Sequence, residues 1–331
     1  MLTENEIRPD TMREEQARRF AQDIHRLNER KGEFVAVPCP ACGDDHPVVR
    51  FEKYGLTYVD CLSCGTLYVN PRPTPGILAW YYETSEHYRY WNTFIFPASE
   101  VIRREKIFRP RVDRLVDICH RFGVPTHTLL EVGAGYGTFG EAVLETGLFG
   151  RYVAVEPTPD LAATCRKKGL EVIELPIEQT DLPDDFADIV VSFEVIEHLF
   201  SPRVFIEASA RLLASGGVLI LSCPNVRGFE VEVLQAASDT VDVEHLNYFN
   251  PESLSDLVAR CGFTVLETTT PGELDAELVR KKVLVGDVDL DGQTFLKRVL
   301  IDEWERLAEP FQKFLWVNGL SSHLWLVARK A

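Results

Sequence analysis

Three groups of residues in this chain have types and spacings that could do chemistry. The first is a pair of knuckles, Cys39-x-x-Cys42 and Cys61-x-x-Cys64, with eighteen residues between them. Two intervening residues let both thiolates of a pair converge on one metal ion, and two such pairs at this separation form the pattern of a four-cysteine zinc site. Gly43 and Gly65 follow the knuckles, where the backbone must turn tightly. Four cysteines leave no place for water, so the site is expected to hold structure and perform no reaction. The remaining cysteines, Cys119, Cys165, Cys223 and Cys261, are scattered among apolar neighbours and read as small core residues.

The second group lies in the stretch LLEVGAGYGTFGEAVLETGLFGRYVAVEP, from Leu129 to Pro157. A short apolar run ends at Glu131, and G-A-G-Y-G then leads into a helix-forming segment. Such a turn presents bare main-chain NH groups to a ligand at a helix N-terminus. Glu156 closes the next apolar run, where a carboxylate can accept both hydroxyls of a ribose. Two cofactor types fit that description. A nicotinamide dinucleotide wants G-x-G-x-x-G, but the third glycine position holds Thr138, whereas G-x-G-x-G at 133, 135 and 137 is satisfied.

The third group consists of His198, in EVIEHL, and His245, in VEHLNYF, with Tyr248 beside it. Histidine suits a general base at neutral pH, although either ring could instead order a loop, and Tyr248 could position an acceptor or pack. An aromatic run, WYYETSEHYRYW, adds Tyr82 and Tyr88 as pocket candidates and Trp91 as a packing residue.

Elements must place these groups. Strands are expected at TLLEV, YVAVE, LEVIE, DIVVSF, GVLILSC and FTVLETT, with helices at about 138–147, 159–168, 202–214 and 251–261. Apolar strands without strict alternation are buried on both faces, which points to a doubly wound α/β sheet. A charged helix at 12–30, a ribbon at about 34–72, a proline-rich linker NPRPTP and a helix from Ser99 to Phe122 precede that sheet. A helix at about 295–317 and a final strand HLWLVARK follow it. The units read as a helical segment 1–33, a zinc ribbon 34–74, a helical linker or lid 75–127, and the α/β domain 128–331. Residues 270–300 carry an acidic stretch, GDVDLDGQ, too irregular for a calcium loop.

The net charge of −16 opposes a general nucleic-acid binder: Arg103-Arg104 and the stretches around Lys281-Lys282 and Arg166-Lys168 are short, and no basic run exceeds three residues. No apolar run has the length of a membrane span, and the charged start MLTENEIRPDTMREEQARRF lacks the apolar centre of a signal peptide. The expectation is a cytoplasmic protein.

From about residue 105 onward the sequence resembles the class I S-adenosylmethionine-dependent methyltransferases. LLEVGAGYGTFGEAV is similar to their first motif, LPIEQTDLPDDFADIVVSFEVIEHL to the stretch with the adenine contact and fourth strand, and LLASGGVLILSCPN to the turn and fifth strand. EHLNYFNPESLSDLVARCGF is similar to the segment that follows. The resemblance implies a Rossmann-like sheet of seven strands, the last antiparallel, a place HLWLVARK can fill. It also implies that Gly133, Ala134, Gly135, Tyr136 and Gly137 line the methionine end of the cofactor, with Glu131 ordering the loop. Glu156 and Pro157 would stand at the ribose, Ile177 and Glu178 at the adenine, and Phe193, Glu194 and Val195 at the reacting face.

A zinc ribbon in front of such a domain resembles bacterial methyltransferases linked to sugar and surface-polysaccharide synthesis. The leading expectation is methylation of a hydroxyl on a sugar or sugar-linked metabolite, a nucleotide-linked sugar included. Two alternatives stand beside it. One is RNA methylation, opposed by the acidic charge and by the lack of an NPPY-like tetrapeptide after strand four. The other is a cofactor-binding scaffold whose ribbon engages a partner. Oligomeric state is not legible in the sequence.

Overall fold

A computed structural model describes residues 2–331 of the chain. Its strands are β1 (Pro47–Lys53), β2 (Leu56–Cys61), β3 (Leu67–Val69), β4 (Thr128–Val132), β5 (Arg151–Val155), β6 (Glu171–Ile173), β7 (Ala187–Phe193), β8 (Leu213–Pro224), β9 (Asn247–Tyr248), β10 (Phe263–Thr269) and β11 (His323–Lys330). Seven form one sheet in the order β10-β11-β8-β7-β4-β5-β6. The pairs from β6 through β8 are parallel, while β11 runs antiparallel between β8 and β10. Every strand expected from the sequence is present, including His323–Lys330 in the antiparallel place. The central stretches of β4, β7 and β8 are apolar because helices cover both faces; Leu130, Val190 and Ile220 are fully buried. Strand order reverses between β4 and β7, so a crevice opens beyond the carboxyl ends of these two strands.

The helices follow the expected spans closely. Thr138–Thr146 and Pro159–Lys167 flank the crevice, and Pro251–Arg260 starts on Asn250, whose Oδ1 accepts the Ser253 amide at 2.8 Å. The helix expected at about 295–317 breaks at Glu303 (φ −123°, ψ 30°), leaving Trp304–Val317 as a separate helix, whereas the one from Ser99 to Phe122 is unbroken but locally widened. The latter runs as Phe96–Arg103, a widened π turn Arg104–Phe108, then Arg109–Phe122. Pro110 has no NH to bond the carbonyl four residues back, and the widened turn absorbs that loss.

The ribbon also departs from a self-contained hairpin. Its sheet has four strands, β1-β2-β3-β9, and the fourth comes from the connection after β8. The core runs through from one part to the other: Cys39, Val59, Cys61 and Tyr68 share one apolar cluster with Leu130, Val190, Leu221 and Phe249. Residues 270–300 are built around the helix Asp275–Leu284. With Leu234, Val279, Leu290 and Leu300, this segment forms a separate cluster against the helix Trp304–Val317.

Candidate functional site

The four sulfurs of Cys39, Cys42, Cys61 and Cys64 lie within 4.8 Å of one another, with Cys42–Cys61 at 3.3 Å and Cys39–Cys64 at 3.6 Å. Tetrahedral Zn–S bonds of about 2.3 Å put sulfurs about 3.8 Å apart, so the cluster already has the dimensions of a closed zinc site. The knuckle backbones are set for it. Gly43 and Gly65 adopt φ of 82° and 72°, and their amides bond the carbonyls of Cys39 and Cys61 at 2.9 and 2.8 Å. The thiols crowd one another: the Cys64 sulfur raises Cys39, while Cys64 itself is lowered to about 4, chiefly by its bond to Cys39. A divalent cation would take the place of the shared protons. The helix Pro251–Arg260 grips both knuckles, Asn250 donating to the Cys64 carbonyl at 2.8 Å and Arg260 to that of Ala41 at 2.6 Å.

At the end of β4 the glycine turn shows two faces. Gly133, Gly135 and Gly137 have φ of 78°, 55° and 75°, the left-handed region. A Cβ at Gly133 would fall 2.4 Å from Val195 Cγ2, and one at Gly137 would sit 3.0 Å from both Cys165 Sγ and Leu170 Cδ1. Among the described residues, a Cβ at Gly135 would meet nothing within 4 Å. Gly133 and Gly137 therefore serve close packing, and the bare face that a ligand could use is centred on Gly135. Buried Glu156 faces the same turn, Oε2 accepting from Gly135 N at 2.8 Å and Oε1 from Thr158 N at 2.9 Å. Burial pushes this carboxyl up, and the two amides partly offset that. Pro157 beyond it is exposed, Ala134 is buried, and Tyr136 lies partly exposed under the Lys168 ammonium, 4.6 Å from its ring.

Several expected residues lie elsewhere than the resemblance implied. Glu131 is bonded by the Tyr152 hydroxyl and makes no hydrogen bond to the turn among the described residues; burial raises it to about 8. Ile177 belongs to the apolar core and Glu178 is exposed. Tyr248 is fully buried and its oxygen is engaged by Asp242 N at 3.2 Å and Thr240 O at 3.4 Å, so it shapes the loop before β9 instead of facing an acceptor.

After β7 the chain turns sharply at Glu194, with φ 55°. Burial would raise Glu194, but His323 at 3.4 Å, Arg111 at 3.6 Å and the Ser222 hydroxyl outweigh it and hold the carboxyl low. Arg111 lies over the Phe193 ring at 4.9 Å, half-buried beside the crevice. Val195 seals Gly133, and the next turn, Ile196–His198, brings Glu197 and His198 toward His245. The two imidazoles meet edge to face at 4.6 Å.

This corner is held from the ribbon. Fully buried Arg72 donates to the carbonyls of Val69, Phe200 and Leu246 and to Asn247 Oδ1, at 3.0–3.3 Å. Asn247 in turn donates to the carbonyls of Ile196, Glu197 and Leu199. The Tyr58 hydroxyl bonds Asp242 O at 2.6 Å, and Asp242 Oδ1 accepts the amides of Glu244 and His245, both at 2.9 Å. The aromatic segment closes the other side, Tyr82 OH lying 3.0 Å from His198 Nδ1 and Tyr81 OH 3.2 Å from Glu244 Oε1. Tyr88 packs edge to face on Tyr82 with ring centroids 5.5 Å apart, and burial, with the charges of Glu156 and Glu244 behind it, raises its phenol. Trp91 packs, its indole donating to His87 at 3.1 Å. Arg72, Arg111, Glu197 and Glu244 are absent from the sequence reading. Arg72 alone carried a signal there, as the cation between two prolines.

A family model described as a methyltransferase domain matches residues 101–268, half of the chain, and the chain belongs to that family. Its seven-stranded mixed sheet is the class I arrangement. By sequence the chain is 30% identical, over 137 residues, to a Mycobacterium tuberculosis protein described as a "Probable S-adenosylmethionine-dependent methyltransferase", covering 41% of this chain and 48% of that one. It is 33% identical over 123 residues to a ubiquinone biosynthesis O-methyltransferase of Xanthomonas campestris pv. campestris, covering 34% of this chain and 49% of the other. The chain spans about half the length of the curated relatives it matches. A solved SAM-dependent methyltransferase from Archaeoglobus fulgidus superposes with a TM-score of 0.49 at 18% identity, over 72% of this chain and all of that one. Among the described residues no helix is long and apolar enough to cross a membrane.

Proposed function

We propose that this protein transfers a methyl group from S-adenosylmethionine to a hydroxyl of a small molecule, with a sugar or sugar-linked metabolite as the leading acceptor class. The observation that carries the reading is the Gly135–Glu156 pair: open backbone at a helix N-terminus, facing a buried carboxylate one strand over. This donor set fits an adenosyl ligand with a cationic centre and a free carboxylate. Glu156 offers its remaining lone pairs to the ribose hydroxyls, and the half-buried Arg111 is the cation for the ligand's carboxylate. The relative named as an O-methyltransferase supports a hydroxyl acceptor.

When bound, the sulfonium supplies an already activated methyl group. The chain's own task is then to orient the acceptor, exclude water and take up a proton. Tyr82, Tyr88 and Glu244 offer aromatic faces and hydrogen bonds to a polyhydroxyl ligand. His245 is the better placed of the two histidines to act on the acceptor: its Nδ1–H donates to Thr240 O at 2.8 Å, leaving Nε2 with a free lone pair. His198 is the weaker base, since burial lowers it to about 3. The zinc ribbon, 34–74, is structural and fixes the loop that carries His245; 75–127 acts as the lid, and the helical segment 1–33 braces it through Asp23, which bonds Ser85 and the His87 amide.

Calorimetry with S-adenosylmethionine tests the reading. Wild type binds; Gly135→Arg, which fills the open face, and Glu156→Ala do not bind measurably while remaining folded. Equal affinity in all three proteins would end it.

A further inference from the structure

Glu197 is fully buried, yet among the described residues neither of its carboxylate oxygens has a hydrogen-bond partner and neither meets a cation. Buried carboxylates are nearly always paired, so this one requires a reason. Two imidazoles face it. His198 Nδ1 lies 3.1 Å from Glu244 O, and His245 Nδ1 lies 2.8 Å from Thr240 O. A carbonyl can only accept, so the His245 proton is assigned to Nδ1; His198 takes the same tautomer, with the Tyr82 hydroxyl at 3.0 Å accepting from the Nδ1–H that Glu244 O shares, and both Nε2 atoms then carry lone pairs. One donor atom from each of Glu197, His198 and His245 lies within 4.8 Å of the other two. The three residues can thus each offer a donor atom at one point, and no ion pair reaches the Glu197 carboxylate among the described residues. The carbonyl behind each ring is also the outer partner that metal-bound histidines keep.

We propose that Glu197, His198 and His245 hold a divalent transition-metal ion, to which the acceptor's oxygen adds as a further ligand. The role at the acceptor rests on the methyl-transfer reading above; the binding of the ion does not. Two imidazoles and one carboxylate favour manganese, iron, cobalt or zinc over magnesium or calcium, and three protein ligands leave positions open. Bonds of about 2.1 Å require donors no more than about 4.2 Å apart, so the side chains draw in by several tenths of an ångström. Such an ion lowers the pKa of a hydroxyl bound to it, so the proton passes to solvent more readily. In the transfer the oxygen–methyl bond forms as the sulfur–methyl bond breaks, and the sulfur leaves as a neutral thioether. His245 then binds the ion and not the proton.

The test uses the full chain with zinc retained in the ribbon, freed of loosely held metal by brief chelation and gel filtration. Mn2+ is the probe, because thiolate knuckles discriminate against it. Loss of the free-Mn2+ EPR signal is expected to show one ion bound per chain. Glu197→Gln and His245→Ala should each weaken binding at least tenfold, with far-UV circular dichroism unchanged. No uptake at millimolar Mn2+, or equal uptake in both variants, overturns the site and leaves Glu197 as a protonated partner of the rings. Cofactor binding with turnover indifferent to the ion overturns its catalytic role while sparing the methyl-transfer reading. An ion bound by protein that binds no cofactor upholds the site and sinks that reading.

Discussion

Gly133 and Gly135 are two residues apart in one turn, yet they answer different demands. At Gly133 a methyl group would collide with Val195 in a backbone region that L-residues avoid, so Gly133→Ala should destabilise the fold by about 2–4 kcal/mol. Trimming the obstacle with Val195→Ala should recover part of that loss in a denaturant titration; no recovery would mean the strain lies in the backbone alone. For Arg111→Ala the expected outcome is a cofactor Kd about 10–100-fold higher, the value of one charge-assisted bond of about 1.5–3 kcal/mol, together with a lower melting temperature because Glu194 loses a cation. Calorimetry reads the first quantity and a melting curve the second.

Among elements, the coupling between the ribbon and the loop that carries His245 matters most. Tyr58, Arg72 and β3 hold the stretch from Asp242 to Asn247, whereas the glycine turn and Glu156 take nothing from the ribbon. Cys61→Ser should therefore release the zinc and abolish or strongly depress turnover while cofactor affinity stays within a few-fold of wild type. Metal content, calorimetry and a methyl-transfer assay on the same sample separate the two. Arg72→Ala should mimic that result and cost on the order of 4 kcal/mol, since it removes a fully buried guanidinium and its bonds to three carbonyls and an amide oxygen. At this scale the sequence was easy to read where the determinants are local. Knuckle spacing, the glycine turn after a strand and the Asn250–Pro251 cap each mark a feature that forms among neighbours in the chain. Strand β9 is two residues long and pairs with a partner far back in the sequence, so no periodicity could reveal it. Glu197 was hidden for the same reason: its meaning lies in the rings it faces. The π turn inside the Ser99–Phe122 helix was legible in Pro110, which cannot donate to the carbonyl four residues back.

For the whole molecule, buried carboxyls set the response to pH. Glu230 is almost fully buried; one oxygen is bonded by Ser238 and the other has no partner among the described residues, and burial raises it to about 7. The unfolded chain releases this proton near 4.5, so between the two values the native state holds more protons and rising pH favours unfolding. At about 1.4 kcal/mol per unit, the loss reaches about 3 kcal/mol by pH 8. His198 acts oppositely. The unfolded ring takes a proton near 6.5 and the folded ring only near 3, so stability falls as pH drops through that interval. Denaturant midpoints from pH 4 to 8 should show both slopes, and Glu230→Gln should flatten the alkaline one; an unchanged slope would assign it to Glu131 and Glu244, each raised to about 8.

The seam between β3 and β9 also bears on how the chain comes together during synthesis. Residues 67–69 leave the ribosome well before residues 247–248 exist, so throughout that interval one margin of the early hairpin has main-chain donors and acceptors with no mate. The nascent protein must shield that margin until its own distant segment arrives.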